Sequence, residues 1–256
     1  MSAPGSVLFA RYAYAPNELG YCGPAETQAL LDLGVTGHTT ADVRSIARRF
    51  SGAWPYAELL AELAGIDDPL DEQVMRAYWT GGPLLDTVDR ADFGRKLLEL
   101  ISAQAGHYWG HLTPELLSEA APTHGFHVFG VYPWTRLLAD LPEQPLHVLD
   151  NCRIRWGRVV DVDRDHVIVS SRRLTWDGCV LGLAAPAQER VRRTVDGGSF
   201  VADPVTGDWL ALHWDSVCER LTPADLHWLR RCTGWQLRVT NERLAREREQ
   251  HEVVAR

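Results

Sequence analysis

The chain lacks the long apolar run that a membrane-spanning helix needs, and its first residues lack the charged start and apolar stretch of a signal peptide. Cysteine is scarce, with five cysteines among 256 residues, and no two of them have CxxC spacing. The odd number and the spacing argue against a disulfide framework. We therefore expect a cytoplasmic protein whose cysteines are reduced thiols.

Positive charge is also in short supply. The sequence has 26 lysines and arginines against 34 aspartates and glutamates, which gives a net charge of −8 at neutral pH. Proteins that bind nucleic acid by neutralising phosphates usually carry an excess of basic residues. We therefore expect neither nucleic acid nor a membrane among the partners.

Common enzyme signatures are missing as well. The sequence contains no glycine-rich dinucleotide fingerprint, no phosphate loop and no GxSxG elbow. The helical part has no Glu-x-x-His pair of the kind that di-iron helix bundles use. The composition, 45% hydrophobic and 23% charged, is nevertheless that of a folded protein. Candidates for chemistry are therefore individual cysteines and histidines rather than a standard motif.

The residue pattern divides the chain into two parts. Helical periodicity dominates before residue 140, whereas short β-like runs separated by turn signals follow residue 146. Two prolines and acidic residues over positions 140–145 predict a linker between the parts. We predict an α+β protein, with an all-helical domain over residues 1–140 and an OB-like β-barrel with a C-terminal helix over residues 146–256.

Local signals predict two elements of the second part in detail. The segments Val159 to Val162 and Val167 to Val169 flank the turn residues Asp163-Arg-Asp165, which predicts a β-hairpin. Thr222, Pro223 and Asp225 have the residue types of a helix cap, a first helical position and a carboxylate in the first turn. They predict that the C-terminal helix begins at Pro223 and extends to about Glu247.

Two stretches of the β-rich part carry candidate ligands. Cys152 precedes an apolar run that Gly157 interrupts, which predicts a strand that opens with a thiol. A Gly207-Asp208 turn precedes a short apolar strand that ends at His213. The two side chains can meet in a small barrel, where thiolate and imidazole are suitable metal ligands. The alternatives are a small buried thiol and a histidine that only donates a hydrogen bond.

The helical part contains a second set of candidate ligands. Cys22 precedes a predicted helix that starts near Pro24, and a helix N-terminus lowers the pKa of a thiol. Three regions contribute to the set, namely Cys22, the i, i+4 pair His107 and His111, and the apolar element that holds His124 and His127. These residues predict a metal site in the helical domain, and the alternative is that they are ordinary loop, interfacial and packing residues.

Residues 151–221 resemble the HypC/HupF family of NiFe-hydrogenase maturation chaperones. The resemblance rests on the residues Cys152, Ile154, Gly157, Arg158, Val159 and Val160, on the run from Gly207 to His213, and on Cys218-Glu-Arg-Leu221. It implies a small β-barrel with a helix. It also implies that Cys152 and His213 correspond to the family's functional cysteine, which holds iron and contacts the partner proteins, and to the histidine beside it.

The whole chain also resembles a bacterial family without an established activity, through the phrases Phe-Ala-Arg-Tyr-Ala-Tyr, Gly-Tyr-Cys-Gly-Pro and Gly-Val-Tyr-Pro-Trp. The HypC/HupF resemblance implies a chaperone rather than a turnover enzyme. Such a chaperone would carry iron and bind the hydrogenase large-subunit precursor or a maturation scaffold protein. Two alternatives stay open: a metal-dependent enzyme centred on the cysteine and histidines of the helical domain, and a structural interaction module.

Overall fold

The described residues, 4–105 and 114–254 of a computed structural model, form nine α-helices and nine β-strands. His107 and His111 lie outside these ranges, so the metal site predicted on this pair falls outside the described residues. The first part of the chain is helical, strands follow, and a long helix ends the described region. The predicted mixture of helix and sheet with a C-terminal helix is therefore confirmed.

Eight helices precede the strands. They are α1 (Pro4–Glu18), α2 (Thr27–Thr36), α3 (Val43–Arg48), α4 (Trp54–Ala64), α5 (Glu72–Trp79), α6 (Arg90–Ala105), α7 (His124–Phe126) and α8 (Glu143–Cys152). A π-helical turn, His127–Val131, continues α7 directly, and shorter 3-10 segments cover Pro83–Asp86, Pro114–Glu119 and Pro133–Leu137.

Helix α8 begins inside the predicted linker and corrects the predicted position of Cys152 at the start of a strand. Pro145 lies in the first turn of this helix, where a missing backbone N–H removes no intrahelical hydrogen bond. Pro145, Val148 and Leu149 are buried at helical spacing, and Cys152 is one turn further along the same face. Cys152 is therefore the last residue of a helix, and the first strand begins three residues later, at Arg155.

The strands are β1 (Arg155–Val162), β2 (His166–Ser171), β3 (Leu174–Trp176), β4 (Leu181–Leu183), β5 (Ala187–Arg192), β6 (Thr194–Val195), β7 (Gly198–Ser199), β8 (Trp209–His213) and β9 (Ser216–Arg220). Five of them pair in the order β1-β2-β5-β9-β8, and β8 pairs back to β1. The β5–β9 contact is one parallel bridge between Arg192 and Ser216. The pairs β3–β4 and β6–β7 form two small separate sheets.

The predicted β1–β2 hairpin is confirmed. Val159 lies opposite Val169, and Val162 lies opposite Val167. The Asp163 carboxylate closes the turn by accepting hydrogen bonds from the backbone N–H groups of the residues two and three positions later. Gly157 is needed in β1, because a Cβ atom there would lie 2.7 Å from Val169 Cγ2.

The C-terminal helix α9 (Pro223–Val254) begins at the predicted residue and extends beyond the predicted end. Asp225 N–H donates to Thr222 Oγ1 at 3.2 Å, and Thr222 N–H donates to the Asp225 carboxylate at 3.0 Å. This reciprocal pair satisfies backbone donors that the first turn leaves free. Further along α9, the buried Arg243 pairs with the buried Glu119 of the helical part.

The largest apolar core joins the helical part to the strands. It contains Tyr12 of α1 and Tyr78 of α5 together with Ala211 of β8 and Cys218 of β9. A buried polar contact crosses the same boundary, because the Tyr12 hydroxyl donates to Glu219 Oε1 at 2.6 Å. The end of β8 is therefore packed against α1 and α5.

Among residues 4–105 and 114–254, no helix is both long enough and apolar enough to cross a membrane.

Candidate metal centre

Three side chains from both parts of the chain converge in the interior. His124 begins α7, Cys152 ends α8 and His213 ends β8, and one ligand atom of each lies within 4.8 Å of the others. Cys152 Sγ lies 3.8 Å from His124 Nε2. Cys152 and His213, the two ligands predicted in the β-rich part, thus share a site with His124, which was predicted as a ligand in the helical domain.

His213 has the hydrogen-bond pattern of a metal-binding histidine. Its Nδ1 lies 2.7 Å from the backbone carbonyl oxygen of Tyr12, which can only accept, so Nδ1 carries the proton and donates. Its Nε2 is buried and has no hydrogen-bond partner among the described residues. Metal-binding histidines commonly donate their second ring N–H to a backbone carbonyl, which fixes the tautomer and leaves the other nitrogen free to ligate.

The surroundings of His124 favour the neutral tautomer with the proton on Nε2. Its Nε2 lies 2.8 Å from the carbonyl oxygen of Cys152, and its Nδ1 lies 3.1 Å from the Tyr78 hydroxyl. That hydroxyl also lies 3.1 Å from the carbonyl oxygen of Gly52. With the proton on Nε2, His124 donates to Cys152 and accepts from Tyr78. With the proton on Nδ1, His124 donates to Tyr78 and Tyr78 donates to Gly52, but Nε2 then faces the Cys152 carbonyl oxygen without a proton. Nε2 would therefore bind a metal only after this carbonyl moves away.

Burial sets the protonation states of the three ligands. It lowers the pKa of His124 to about 4 and lowers the pKa of His213 well below its ordinary value, so both imidazoles are neutral at neutral pH. Burial raises the pKa of the Cys152 thiol well above its ordinary value. In the absence of a metal the thiol therefore keeps its proton, and metal coordination would release it.

The donor set is suited to a soft or borderline transition metal. Nitrogen and sulfur ligands of one tetrahedral zinc ion lie roughly 3.5 Å apart, given metal–ligand bonds of about 2.1 and 2.3 Å. The Cys152–His124 separation of 3.8 Å is close to this value, and the remaining separations stay within 4.8 Å. One thiolate and two imidazoles favour zinc, iron, cobalt, nickel or copper over magnesium or calcium, and three ligands leave one position open.

A cavity of about 120 Å³ lies beside these three residues, and we call it the aromatic cavity. Its lining includes Tyr21, Phe50, Trp79, Tyr132, Trp134 and Trp214, together with His124, Cys152 and His213. Tyr21, which is half exposed, stacks on the buried Trp214 with ring centroids 4.0 Å apart. Trp79 contacts both histidines of the group, with centroid distances of 4.8 Å to His124 and 5.8 Å to His213.

Two other predicted ligands, Cys22 and His127, line the same cavity but do not belong to the three-residue group. The predicted lowering of the Cys22 pKa is wrong, because burial raises it to about 12. The next helix, α2, begins five residues after Cys22, so its N-terminal dipole does not act directly on this thiol. Burial also lowers the pKa of His127 to about 3, which leaves a neutral imidazole in the cavity wall.

Buried charges hold the end of α8 in place, and sequence reasoning missed them. Arg153 donates two hydrogen bonds to Asp150, and the backbone N–H of Leu174 donates to the same carboxylate oxygen at 2.9 Å. The fully buried Arg155 donates to the carbonyl oxygens of Asp150 and Trp214 at 3.3 and 2.9 Å. The only sequence signal is the i, i+3 spacing of Asp150 and Arg153 around Cys152.

The fold and the site describe a mixed helix-and-sheet protein with a buried group of cysteine and histidine ligands. The chain belongs to DUF6390, a family of unknown function, whose model matches residues 1–247. No curated protein and no solved structure matches the chain. The resemblance to the HypC/HupF chaperones stays a prediction.

Proposed function

We propose that this protein holds one soft transition-metal ion through Cys152, His124 and His213. The observation that carries the proposal is the convergence of one ligand atom from each residue within 4.8 Å, and His213 Nε2 is buried and has no hydrogen-bond partner among the described residues. A buried nitrogen without a partner is unfavourable, and a metal ion would satisfy it.

A metal-holding role agrees better with the surroundings than acid–base turnover. No carboxylate occurs among the residues that line the aromatic cavity in the described ranges. The three histidines of the lining have pKa values lowered by burial, so none of them is poised to exchange protons near neutral pH. This is also why we place the site in an accessory protein rather than in a metal-dependent enzyme.

The specific role we propose is in NiFe-hydrogenase maturation, with iron as the metal. The support is that Cys152 and His213, which the HypC/HupF resemblance selects, belong to one cluster although they lie on different elements. The strand order β1-β2-β5-β9-β8, with a parallel β5–β9 contact, is also compatible with the OB-like barrel that the resemblance implies. The partner would be the large-subunit precursor or a maturation scaffold protein.

Metal content and cobalt spectroscopy test the metal-holding role. We expect the wild-type chain to bind one equivalent of Co²⁺ with a thiolate-to-cobalt charge-transfer band, and Cys152→Ser to lose the band. Cys179→Ser is the matched control, because Cys179 is an exposed thiol that does not line the cavity. Failure of the wild type to bind a stoichiometric metal, or equal loss in both variants, would refute the proposal.

Co-purification tests the maturation role separately. We expect the iron-loaded wild type to associate with a hydrogenase large-subunit precursor or scaffold protein, and Cys152→Ala to associate less and to carry less iron. Unchanged association, together with an absence of iron in the wild type, would exclude iron carriage. Metal binding without any such association would leave the metal-holding role and remove the hydrogenase role.

A further inference from the structure

A second concave surface, of about 600 Å³, lies across strands β8, β1 and β2 and the start of α9. None of the residues that line it lines the aromatic cavity, so it is separate from the candidate metal centre. Its lining includes two tryptophans and three arginines, and we call it the arginine groove. These five residues are Trp156, Arg158, Arg172, Trp209 and Arg230.

Strand alternation places the side chains of the groove next to one another. Val159 of β1 belongs to the apolar core inside the strands, so its neighbours Arg158 and Val160 face outward. Arg158 lies opposite Trp209 on β8 and opposite Ser170 on β2. Cβ atoms of directly opposite residues in antiparallel strands are about 5 Å apart. An indole, a guanidinium and a hydroxyl therefore form a row across three strands.

The three arginines of the groove carry unneutralised positive charge. All three are exposed, and within residues 4–105 and 114–254 none of them forms an ion pair or donates a side-chain hydrogen bond. No carboxylate of the described residues lines the groove. Other accessible arginines of this acidic chain do pair with carboxylates, as Arg44 does with Asp68 and Arg238 with Glu242. The groove is therefore a local basic surface on a protein with a net negative charge.

The two tryptophans hold one of these arginines in place. Trp156 and Trp209 are half-buried, because part of each indole packs against the largest apolar core. The guanidinium carbon of Arg230 lies 4.8 Å from the ring centroid of Trp209 and 5.7 Å from that of Trp156. This cation–π arrangement restricts the arginine side chain, while its N–H groups stay available to a ligand.

This composition favours the carboxylates of a protein segment as the occupant. The guanidinium fork pairs with a carboxylate through two parallel hydrogen bonds, and tryptophan and arginine are enriched among the residues that dominate binding in protein–protein interfaces. The exposed Val160 adds an apolar contact to the groove. Single-stranded nucleic acid would need open indole faces on which bases stack, whereas Arg230 lies over both rings.

We infer that the arginine groove binds an acidic segment of a partner protein. Carboxylates of that segment pair with Arg158, Arg172 and Arg230, and an apolar side chain of the segment contacts Trp156 and Trp209. The inference is independent of the metal-holding function, because none of these residues belongs to the metal centre.

Fluorescence anisotropy with the metal-free full chain tests the inference. The ligand is a fluorescein-labelled peptide of Glu-Glu-Leu repeats. We expect it to bind saturably with one-to-one stoichiometry, and its affinity should fall as the salt concentration rises. A peptide of Lys-Lys-Leu repeats has the opposite charge and should not bind.

Paired double variants locate the binding surface. Arg158→Gln with Arg230→Gln removes two groove charges, and we expect the affinity for the acidic peptide to fall about tenfold. Arg164→Gln with Arg246→Gln changes the net charge equally and is the matched control, because both arginines are exposed and neither lines the groove. This control should bind the peptide as the wild type does. All four side chains are exposed, so both variants should fold, which circular dichroism verifies.

Two kinds of result would overturn the inference. One is the absence of saturable peptide binding, or equal weakening in the two double variants. The other is tighter binding of oligouridylate or of phosphatidylserine vesicles than of the acidic peptide, because the groove would then recognise phosphate. Since the chain is free of metal in these measurements, neither result bears on the metal-holding function.

Discussion

The Sγ atom of Cys152 lies 3.8 Å from Nε2 of His124, although 28 positions separate the two residues in the chain. One side chain ends α8 and the other begins α7, and His213 from the end of β8 completes the group. The candidate centre therefore depends on the packing of the helical part against the strands, and neither part contains all three ligands.

The first prediction compares two buried histidines three positions apart. His124→Gln removes a ligand, so we expect it to weaken cobalt or zinc binding by roughly 100-fold or more, in line with the loss of a direct ligand rather than an outer contact. His127→Gln alters the same cavity but removes no member of the three-residue group, and we expect an affinity within about tenfold of the wild type. Isothermal titration calorimetry with a competing chelator measures both. Equal losses would place the metal elsewhere.

The second prediction concerns the outer contact of His124. Tyr78→Phe removes the hydroxyl that accepts from His124 Nδ1 in the metal-binding tautomer, and we expect metal affinity to fall roughly 10–100-fold with the stoichiometry unchanged. Tyr56→Phe is the matched control, because Tyr56 packs against Tyr78 while its buried hydroxyl has no partner among the described residues. The same competition titration applies, and an equal loss in both variants would contradict a specific role for the Tyr78 hydroxyl.

The third prediction is the pH dependence of metal binding. Burial raises the pKa of the Cys152 thiol above its ordinary value, whereas the pKa of His124 falls to about 4. Near neutral pH, metal binding therefore displaces one proton from sulfur and none from the imidazoles. The apparent affinity should rise about tenfold per pH unit around neutrality. Cys152→Ser should show a flatter dependence, and a wild-type affinity independent of pH would mean that the thiol is not a ligand.

The fourth prediction is the acid sensitivity of the metal-free protein. Burial lowers the pKa of His124 to about 4, whereas an unfolded histidine has a pKa of about 6.5. The unfolded chain then binds more protons than the folded chain below about pH 6.5, so the free energy of unfolding decreases as the pH falls from there towards about 4. The shift corresponds to about 3 kcal/mol for His124 at the acid end.

Urea denaturation between about pH 7 and 5 measures this decrease, because the slope of stability against pH counts the extra protons bound on unfolding. His127 also has a lowered pKa, to about 3, so His127→Phe should reduce the slope by removing one titrating group. A wild-type unfolding free energy that stays level over this range would show that the histidines are not buried in their neutral form.

The fifth prediction uses two glycines with opposite surroundings. Gly157→Ala should destabilise the fold by about 1–3 kcal/mol, because the new Cβ would lie 2.7 Å from Val169 Cγ2 on the neighbouring strand β2. Gly234→Ala should stabilise it by about 1 kcal/mol, because Gly234 lies within α9 and a Cβ there meets no atom within 4 Å. Thermal or urea unfolding measures the change in stability of both variants. Changes of the same sign in the two variants would contradict this local geometry.

Elements defined by neighbouring residues were predictable from the sequence. The β1–β2 hairpin and the start of α9 at Pro223 are confirmed because turn and cap hydrogen bonds join residues two or three positions apart. A helix begins inside the predicted linker over residues 140–145 for a related reason. Prolines indicate a boundary, but a proline is also compatible with the first turn of a helix. Pro145, Val148 and Leu149 are buried at helical spacing, which favours the helix.

The candidate site was also predictable only in part. The sequence by itself determined which side chains have suitable chemistry. It gave seven candidate ligands from residue type, local pattern and family resemblance, namely Cys22, His107, His111, His124, His127, Cys152 and His213. Only the tertiary structure decided that His124, Cys152 and His213 meet while Cys22 and His127 remain in the cavity wall. Coordination depends on separations of a few ångströms between side chains on α7, α8 and β8, and the packing of these elements fixes those separations. Burial, which the sequence does not show, also raised the pKa of Cys22 rather than lowering it.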